Sequence, residues 1–373
     1  MSARLFSPTA LGGLTLPNRF VVSPMCQYSA VNGLVQPWHY QHLGHLALSG
    51  AGALIIEATA VAEEGRITPG CLGLYSDAQA DALGEMVRQI QSFSPMQFGI
   101  QLVHTGRRSS VSRPWDGVRA LTDEEGGWRT FGPSALPHMP DWPMPQELDQ
   151  NGMTRIREAF VAAAIRARDV GLSLVELHGA HGYLIHQFLS PISNRRTDEF
   201  GGSLQNRMRF PLAIAQAVRD TWPRDRALGL RISATDWHKE GWTPDESVVF
   251  VKALQEIGLD YVSVSSGGIG VLTSMTRDHL PLAERIRRET GMLTCAVGQI
   301  IQPQQAEEVL VKEQADFVAL GRALLDNPRW GWHAAHALGA EPNYPRQYEL
   351  ARPDRWRGYG TAHRGARQTP PAG

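Results

Sequence analysis

Eight short apolar runs, rich in β-branched residues, recur along the chain and set the tightest limit on how it can fold. They are Arg19–Ser23, Ala53–Ala58, Phe98–Val103, Leu172–Leu177, Leu228–Ser233, Tyr261–Ser265, Leu293–Val297 and Phe317–Leu320. Each has the length and composition of a buried strand. Between most of them lie stretches of helical period. In Met153–Val170, the residues Ile156, Phe160, Ala163, Ala164 and Ala167 fall on one face. Gln205–Thr221, Asp245–Ile257, Pro281–Thr290 and Pro303–Gln314 repeat the pattern, and Pro223, Gly258 and Gly291 mark three of their ends. Strand–helix alternation carried through eight units predicts one parallel (β/α)8 barrel. A doubly wound open sheet is the competing arrangement, and it usually carries a glycine-rich dinucleotide turn after an early strand. Here the first run is followed by Pro24-Met25-Cys26-Gln27, and no G-x-G-x-x-G occurs.

The third run is followed by a long connection, His104 to Asn151, punctuated by Pro114, Gly117, Gly126-Gly127, Pro133, Pro137, Pro140, Pro143 and Pro145. Irregular segments of that length inside a compact domain are commonly lids or binding loops. The expected organisation is a barrel over residues 1–351 with a tail, partly flexible, over 352–373. With 42% hydrophobic and 20% charged residues the chain has ample material for a core. A net charge of −1 gives no electrostatic case for nucleic acid or an anionic membrane. No apolar stretch approaches the ~20 residues needed to cross a bilayer, and Pro8 interrupts the N-terminus before a signal-peptide core could form. A cytoplasmic enzyme is therefore expected. Cys26, Cys71 and Cys295 are far apart and odd in number. They make no disulfide framework and cannot supply the four thiolates of a usual iron–sulfur cluster, so a redox cofactor should be organic.

A barrel active site lies at the C-terminal strand ends. That rule gathers Ser23, Pro24, Met25, Cys26 and Tyr28 from strand 1, Ala58 and Thr59 from strand 2, and Gln101 and His104 from strand 3. Strand 4 supplies His178-Gly179-Ala180-His181-Gly182-Tyr183, placed where the apolar run ends and a loop begins. Two imidazoles and a phenol there can hold an electron-rich oxygen and deliver a proton, provided something else supplies electrons. Arg231 comes from strand 5, Val297-Gly298 from strand 7 and Gly321-Arg322 from strand 8. Barrels often bind phosphate at the last two strand ends, through exposed N–H groups and a basic side chain. Plainer readings exist for each residue alone. The glycines could merely let strands turn, the arginines could be ion-pair partners, and Cys26 could be an inert buried thiol. The histidines could be a satisfied core pair or two zinc ligands, but neither a His-x-His on strand 1 nor a His-Glu-x-x-His is present. No metal is expected.

From Leu5 to Tyr348 the chain resembles the Old Yellow Enzyme family of FMN-dependent ene-reductases, in its bacterial thermophilic-like branch. The resemblance rests on the order and spacing of Asn18-Arg19, Ser23-Pro24-Met25-Cys26-Gln27-Tyr28, Glu57-Ala58-Thr59-Ala60-Val61, Gly65-Arg66-Ile67 and Gln101-Leu102-Val103-His104. It continues through His178 to Leu184, Leu189-Ser190-Pro191 to Asn194, Arg196 to Ser203, Asn206-Arg207, Gly321-Arg322 and Asp326-Asn327-Pro328. It implies non-covalent FMN at the barrel mouth, with Ser23, Pro24, Met25, Cys26 and Ala58 lining the ring and Gln101 reading its pyrimidine edge. Arg231 would lie near N1 and O2, and Arg322 with the N–H groups around Gly298 and Gly321 would hold the phosphate. Cys26 would tune the flavin.

The implied reaction takes hydride from NADPH or NADH onto FMN and passes it from N5 to the β-carbon of an alkene activated by a carbonyl or nitro group. His178 and His181 would hold the substrate oxygen, Tyr183 would protonate the α-carbon, and Tyr28 and Ile67 would shape the pocket. A homodimer or homotetramer is implied as well. A related barrel that reduces dienoyl thioesters needs an iron–sulfur cluster and a further flavin domain, which the cysteines and the length do not provide. Two departures from the family pattern stand out. Leu350 occupies the position of a family arginine that reaches into the neighbouring subunit, leaving Arg352 as a possible replacement. Thr276-Arg277-Asp278-His279 replaces a Pro-Gly-Tyr-Gln segment after strand 6.

Overall fold

The structure, a computed structural model, describes residues 3–270 and 278–362. Eight strands close into a parallel barrel: β1 (Phe20–Val22), β2 (Ala53–Ala60), β3 (Gln97–Val103), β4 (Leu174–Gly179), β5 (Ala227–Ser233), β6 (Tyr261–Ser265), β7 (Leu293–Val297) and β8 (Phe317–Leu320). The ring is sealed where β8 pairs with β1, and the Ser23 N–H donates to Leu320 O at 2.9 Å just beyond. The expected barrel is the observed one.

Helices pack outside the strands: α1 (Pro37–Leu46), α2 (Asp77–Gln91), α3 (Gln150–Asp169), α4 (Leu204–Thr221), α5 (Pro244–Ile257), α6 (Leu280–Thr290), α7 (Pro303–Val311) and α8 (Trp330–Ala337). Their ends follow local chemistry. Ser76, Asp149, Ser203 and Thr243 cap the N-termini of α2, α3, α4 and α5 by accepting from backbone N–H groups. Gly258 and Gly291 end α5 and α6 in the left-handed region, at φ +89° and +72°.

Alternation along the strands separates two cores. Leu54, Phe98, Ile100, Val175 and Leu230 point outward and bury the helices' apolar faces. Val21, Ile55, Leu174, Phe317 and Ala319 fill the interior. A hairpin of Thr9–Leu11 and Leu14–Leu16 adds Leu11 and Leu16 to that interior cluster.

Strand 4 differs from its expected bounds. The ladder runs through His178 and Gly179, which pair with Arg231 and Ile232. Backbone pairing continues at the mouth after the apolar composition stops, so His178 is a strand residue and His181 lies in the loop. The long connection contains 3-10 turns and a two-residue pairing of Phe131–Gly132 with Gln146–Glu147.

Candidate active site

Of the residues named from the sequence, Ser23, Met25, Arg231, Gly298, Gly321 and Arg322 line one cavity, and His178, His181 and Tyr183 form a second zone. The first zone, the cavity, measures about 1010 Å³ and is also lined by Ser265, among others. Arg231 is half-buried, and its Nε has no hydrogen-bond partner among the described residues. Arg322 is exposed and makes no ion pair among the described residues. Gly298 follows β7 at φ +100°, which a side-chain-bearing residue adopts only with strain. Gly321 precedes a short helix, Arg322–Asp326.

The second zone is the aromatic cluster. The His178 and His181 rings lie 5.1 Å apart at 76°, and His178 meets Tyr183 at 4.8 Å and 77°. His178 Nδ1 accepts the Ala180 N–H at 3.2 Å, so Nε2 carries the proton in the neutral ring. His181 takes up a left-handed backbone at φ +58°. It is pinned there by its N–H donated to Ser233 Oγ at 2.9 Å and by Arg108 donating to its carbonyl. Its Nε2 lies 2.8 Å from Ser265 Oγ, so the ring touches a residue of the first zone. Burial, reinforced by Arg231, holds both imidazoles well below the usual histidine range. Both are neutral N–H donors at pH 7.

Tyr183 packs with Cys26 and Tyr28 against Ile67, Cys71 and Val111. Burial raises its pKa, and the Arg108 guanidinium, 5.3 Å from the ring, pulls it back. Tyr28 is left-handed at φ +50° and meets Trp115 edge-on. The Cys26 thiol sits in the Pro24–Tyr28 loop, which Glu57 anchors by accepting the Gln27 N–H at 2.9 Å. Exclusion of water, then the Glu57 carboxylate, push its pKa well up. Glu57 lies where the β2–β3 register shifts, directly before Ala58.

Gln101 is buried and donates through Nε2 to Glu176 Oε1 at 2.6 Å. His104 is not gathered into the cluster. It is buried, its Nδ1 accepts the Gly106 N–H at 3.1 Å, and its ring lies against Gly65. Of the altered loop, Thr276 and Arg277 fall outside the described residues, while His279 lines the large cavity. Leu350 is 78% exposed. Arg352 is tied within its own chain to Glu341 at 3.2 Å and Asp354 at 3.1 Å.

Sequence reasoning did not assign roles to Arg108, Ser265, Glu57 or Glu176. Glu176 carried a signal, a carboxylate inside an apolar run. Arg108 and Ser265 had none, because their relevance depends on the segment after β3 and the end of β6 meeting the β4 loop.

The sequence profile of the NADH:flavin oxidoreductase / NADH oxidase family matches residues 4–341. An NADPH dehydrogenase of Geobacillus sp. (strain WCH70) is 42% identical over 353 residues, covering 94% of this chain and 98% of that protein. Among solved structures, morphinone reductase superposes with a TM-score of 0.75 at 26% identity, covering 92% of each chain. Its complex with tetrahydroNAD gives 0.73, again at 26% identity, covering 91% of this chain and 92% of that one. The family binds FMN, and the large cavity suits it. An unpaired guanidinium Nε stands at its wall, and an arginine without an ion-pair partner among the described residues lies beside two glycines at the strand 7 and 8 ends. The chain belongs to the NADH:flavin oxidoreductase / NADH oxidase family, as an Old Yellow Enzyme: a (β/α)8 oxidoreductase with FMN as cofactor and nicotinamide as reductant.

Proposed function

We propose that the chain is an ene-reductase acting on alkenes conjugated to a carbonyl or nitro group. The observation that carries this reading is a pair of neutral imidazoles 5.1 Å apart with a phenol 4.8 Å from the His178 ring, touching the cavity through Ser265. When bound, FMN supplies the electron chemistry, a hydride taken from NADPH or NADH and returned to the alkene β-carbon. Ser23, Pro24, Met25, Cys26 and Ala58 would line the ring, with Gln101 holding it. Arg231 brings a fixed cation to the place where negative charge develops on reduction. Arg322, with the N–H groups at Gly298 and Gly321, would hold the phosphate.

His178 donates from Nε2 to the substrate oxygen, in the tautomer set by the Ala180 N–H. His181 adds a second donor when Ser265 hydrogen-bonds its Nε2 and leaves Nδ1–H free. Two such bonds draw electron density from the β-carbon. Tyr183 gives its hydroxyl proton to the α-carbon, and Tyr28 and Ile67 close the wall beside it. A redox sensor built on Cys26 is the second reading, and the chemistry disfavours it, because a thiol with a raised pKa is a poor nucleophile at neutral pH. A homodimer or homotetramer is proposed too, supported by exposed Tyr348, Leu350 and Trp356 near the C-terminus.

Anaerobic titration tests the reaction. NADPH should bleach the yellow protein, and cyclohexenone should restore its colour with formation of cyclohexanone. Bleached protein that stays bleached with enones and nitroalkenes alike would rule the ene-reductase reading out. Light scattering on the eluted protein tests the oligomer, and a single 41.1 kDa species would refute it.

A further inference from the structure

Glu176 is a buried carboxyl group in the barrel interior that neither half-reaction uses. It stands on β4 in register with Gln101 of β3 and Gly229 of β5, and Tyr261 of β6 is in register with the same glycine. Gly229 is what brings the phenol across. A Cβ there would lie 2.1 Å from the Tyr261 ring, so glycine alone lets that ring cross β5. Tyr261 OH then donates to Glu176 Oε2 at 3.0 Å, while Gln101 Nε2 donates to Oε1 at 2.6 Å.

Both carboxyl oxygens therefore act as acceptors, which is the pattern of the ionised form. Arg231 lies two residues beyond Gly229 on the same face of β5, diagonal to Glu176. Its charge supports the carboxylate against the upward pull of burial. The space beside Glu176 measures about 10 Å³ and is lined by Leu174, Tyr261, Ser263 and Cys295. That is too small for a hydration shell, so the carboxylate is little screened on its own side, while Arg231 faces the larger cavity.

We infer that Glu176 is a positioning residue for the flavin ring: it turns the Gln101 amide and offsets the charge that Arg231 brings to the reduced cofactor. A carboxylate can only accept, so the amide atom facing it is Nε2, and the Gln101 carbonyl oxygen is left for a donor on the ring. The same carboxylate subtracts from the positive field of Arg231. Glu176 thereby lowers the reduction potential that Arg231 raises. This rests on the reading that Gln101 and Arg231 contact the flavin.

The test is spectroelectrochemical titration of the FMN-loaded protein, without substrate. Glu176→Gln removes the negative charge and keeps the shape. The potential should rise by the equivalent of roughly tenfold tighter relative binding of reduced over oxidised flavin, about 30 mV for a two-electron couple. Arg231→Gln should move it the opposite way. If Arg231→Gln leaves the potential unchanged, the flavin is not at Arg231 and the site reading itself falls. If Arg231→Gln lowers it and Glu176→Gln does not raise it, the role given to Glu176 alone falls. A purely structural role would lower the unfolding midpoint without moving the potential. Should Glu176→Gln fail to fold or to hold FMN, Tyr261→Phe removes one donor to the carboxylate and keeps the rest. With one donor fewer the carboxylate presents more of its charge, so the potential should fall by a smaller step, and an unchanged value would overturn the inference.

Discussion

Replacing Tyr183 by Phe separates the proposed proton donor from everything else in the site. The ring stays, and with it the packing against Ile67, Cys71 and Val111, the edge contact with His178 and the stacking of Arg108. Stability should therefore change by no more than about 1 kcal/mol. A positioned general acid contributes about 10²- to 10⁴-fold, or roughly 3–5 kcal/mol in the barrier. Tyr183 should sit in the lower half of that range. Burial makes its hydroxyl a weaker acid, and Arg108 at 5.3 Å recovers only part of the loss. Stopped-flow mixing of NADPH-reduced protein with cyclohexenone should show reoxidation slowed about 10²- to 10³-fold, with flavin reduction by NADPH unchanged. Equal slowing of both half-reactions would mean the substitution damaged the site, and an unaffected reoxidation would remove Tyr183 as the proton source.

Three further expectations follow from the same geometry. Replacing His178 and His181 together should abolish the charge-transfer band that a bound phenol gives with the flavin, and weaken phenol binding by about 2–3 kcal/mol for two lost donors; a normal band would show that they do not hold the ligand oxygen. Lowering the pH from about 7 to about 5 should destabilise the protein. Burial holds His42 and His104 down at about 4 and His138 at about 3, and His178 and His181 lie well below the ordinary value near 6.5. The unfolded chain thus binds more protons across that window, so stability is present above about 6.5 and lost as the pH falls; equal urea midpoints at the two pH values would contradict this. Gly229→Ala should cost at least about 1–3 kcal/mol by overpacking, because the new Cβ meets the Tyr261 ring at 2.1 Å; an unchanged thermal midpoint would show that the ring moves aside freely.

The barrel was legible because its strands are local and compositional. Tyr261–Ser265, Leu293–Val297 and Phe317–Leu320 have the bounds their apolar runs suggest, and the ends of α5 and α6 fall at Gly258 and Gly291. Where composition and pairing part company, the sequence misleads by a residue or two. β4 extends through His178 and Gly179 because the neighbouring strand still offers partners, although the side chains have turned polar. The helices α1 and α2 were not named in advance. Gln36 with Pro37 and His39, and Ser76 with Gln79, build their capping boxes from residues that alone look like loop.

Residue types and order settled that the chain is a barrel with a histidine–tyrosine cluster after its fourth apolar run. The family motifs named the cofactor. What the sequence left open is the state of those groups, since protonation, tautomer and orientation are set by neighbours distant in the chain. Ala180 fixes the His178 tautomer from two residues away, but His181 depends on Ser265, 84 residues on, and Gln101 on Glu176, 75 residues on. Only barrel closure and register bring these partners into contact; exclusion of water there holds both imidazoles neutral, while the Gln101 and Tyr261 donors and the Arg231 charge support the Glu176 carboxylate against the upward pull of burial.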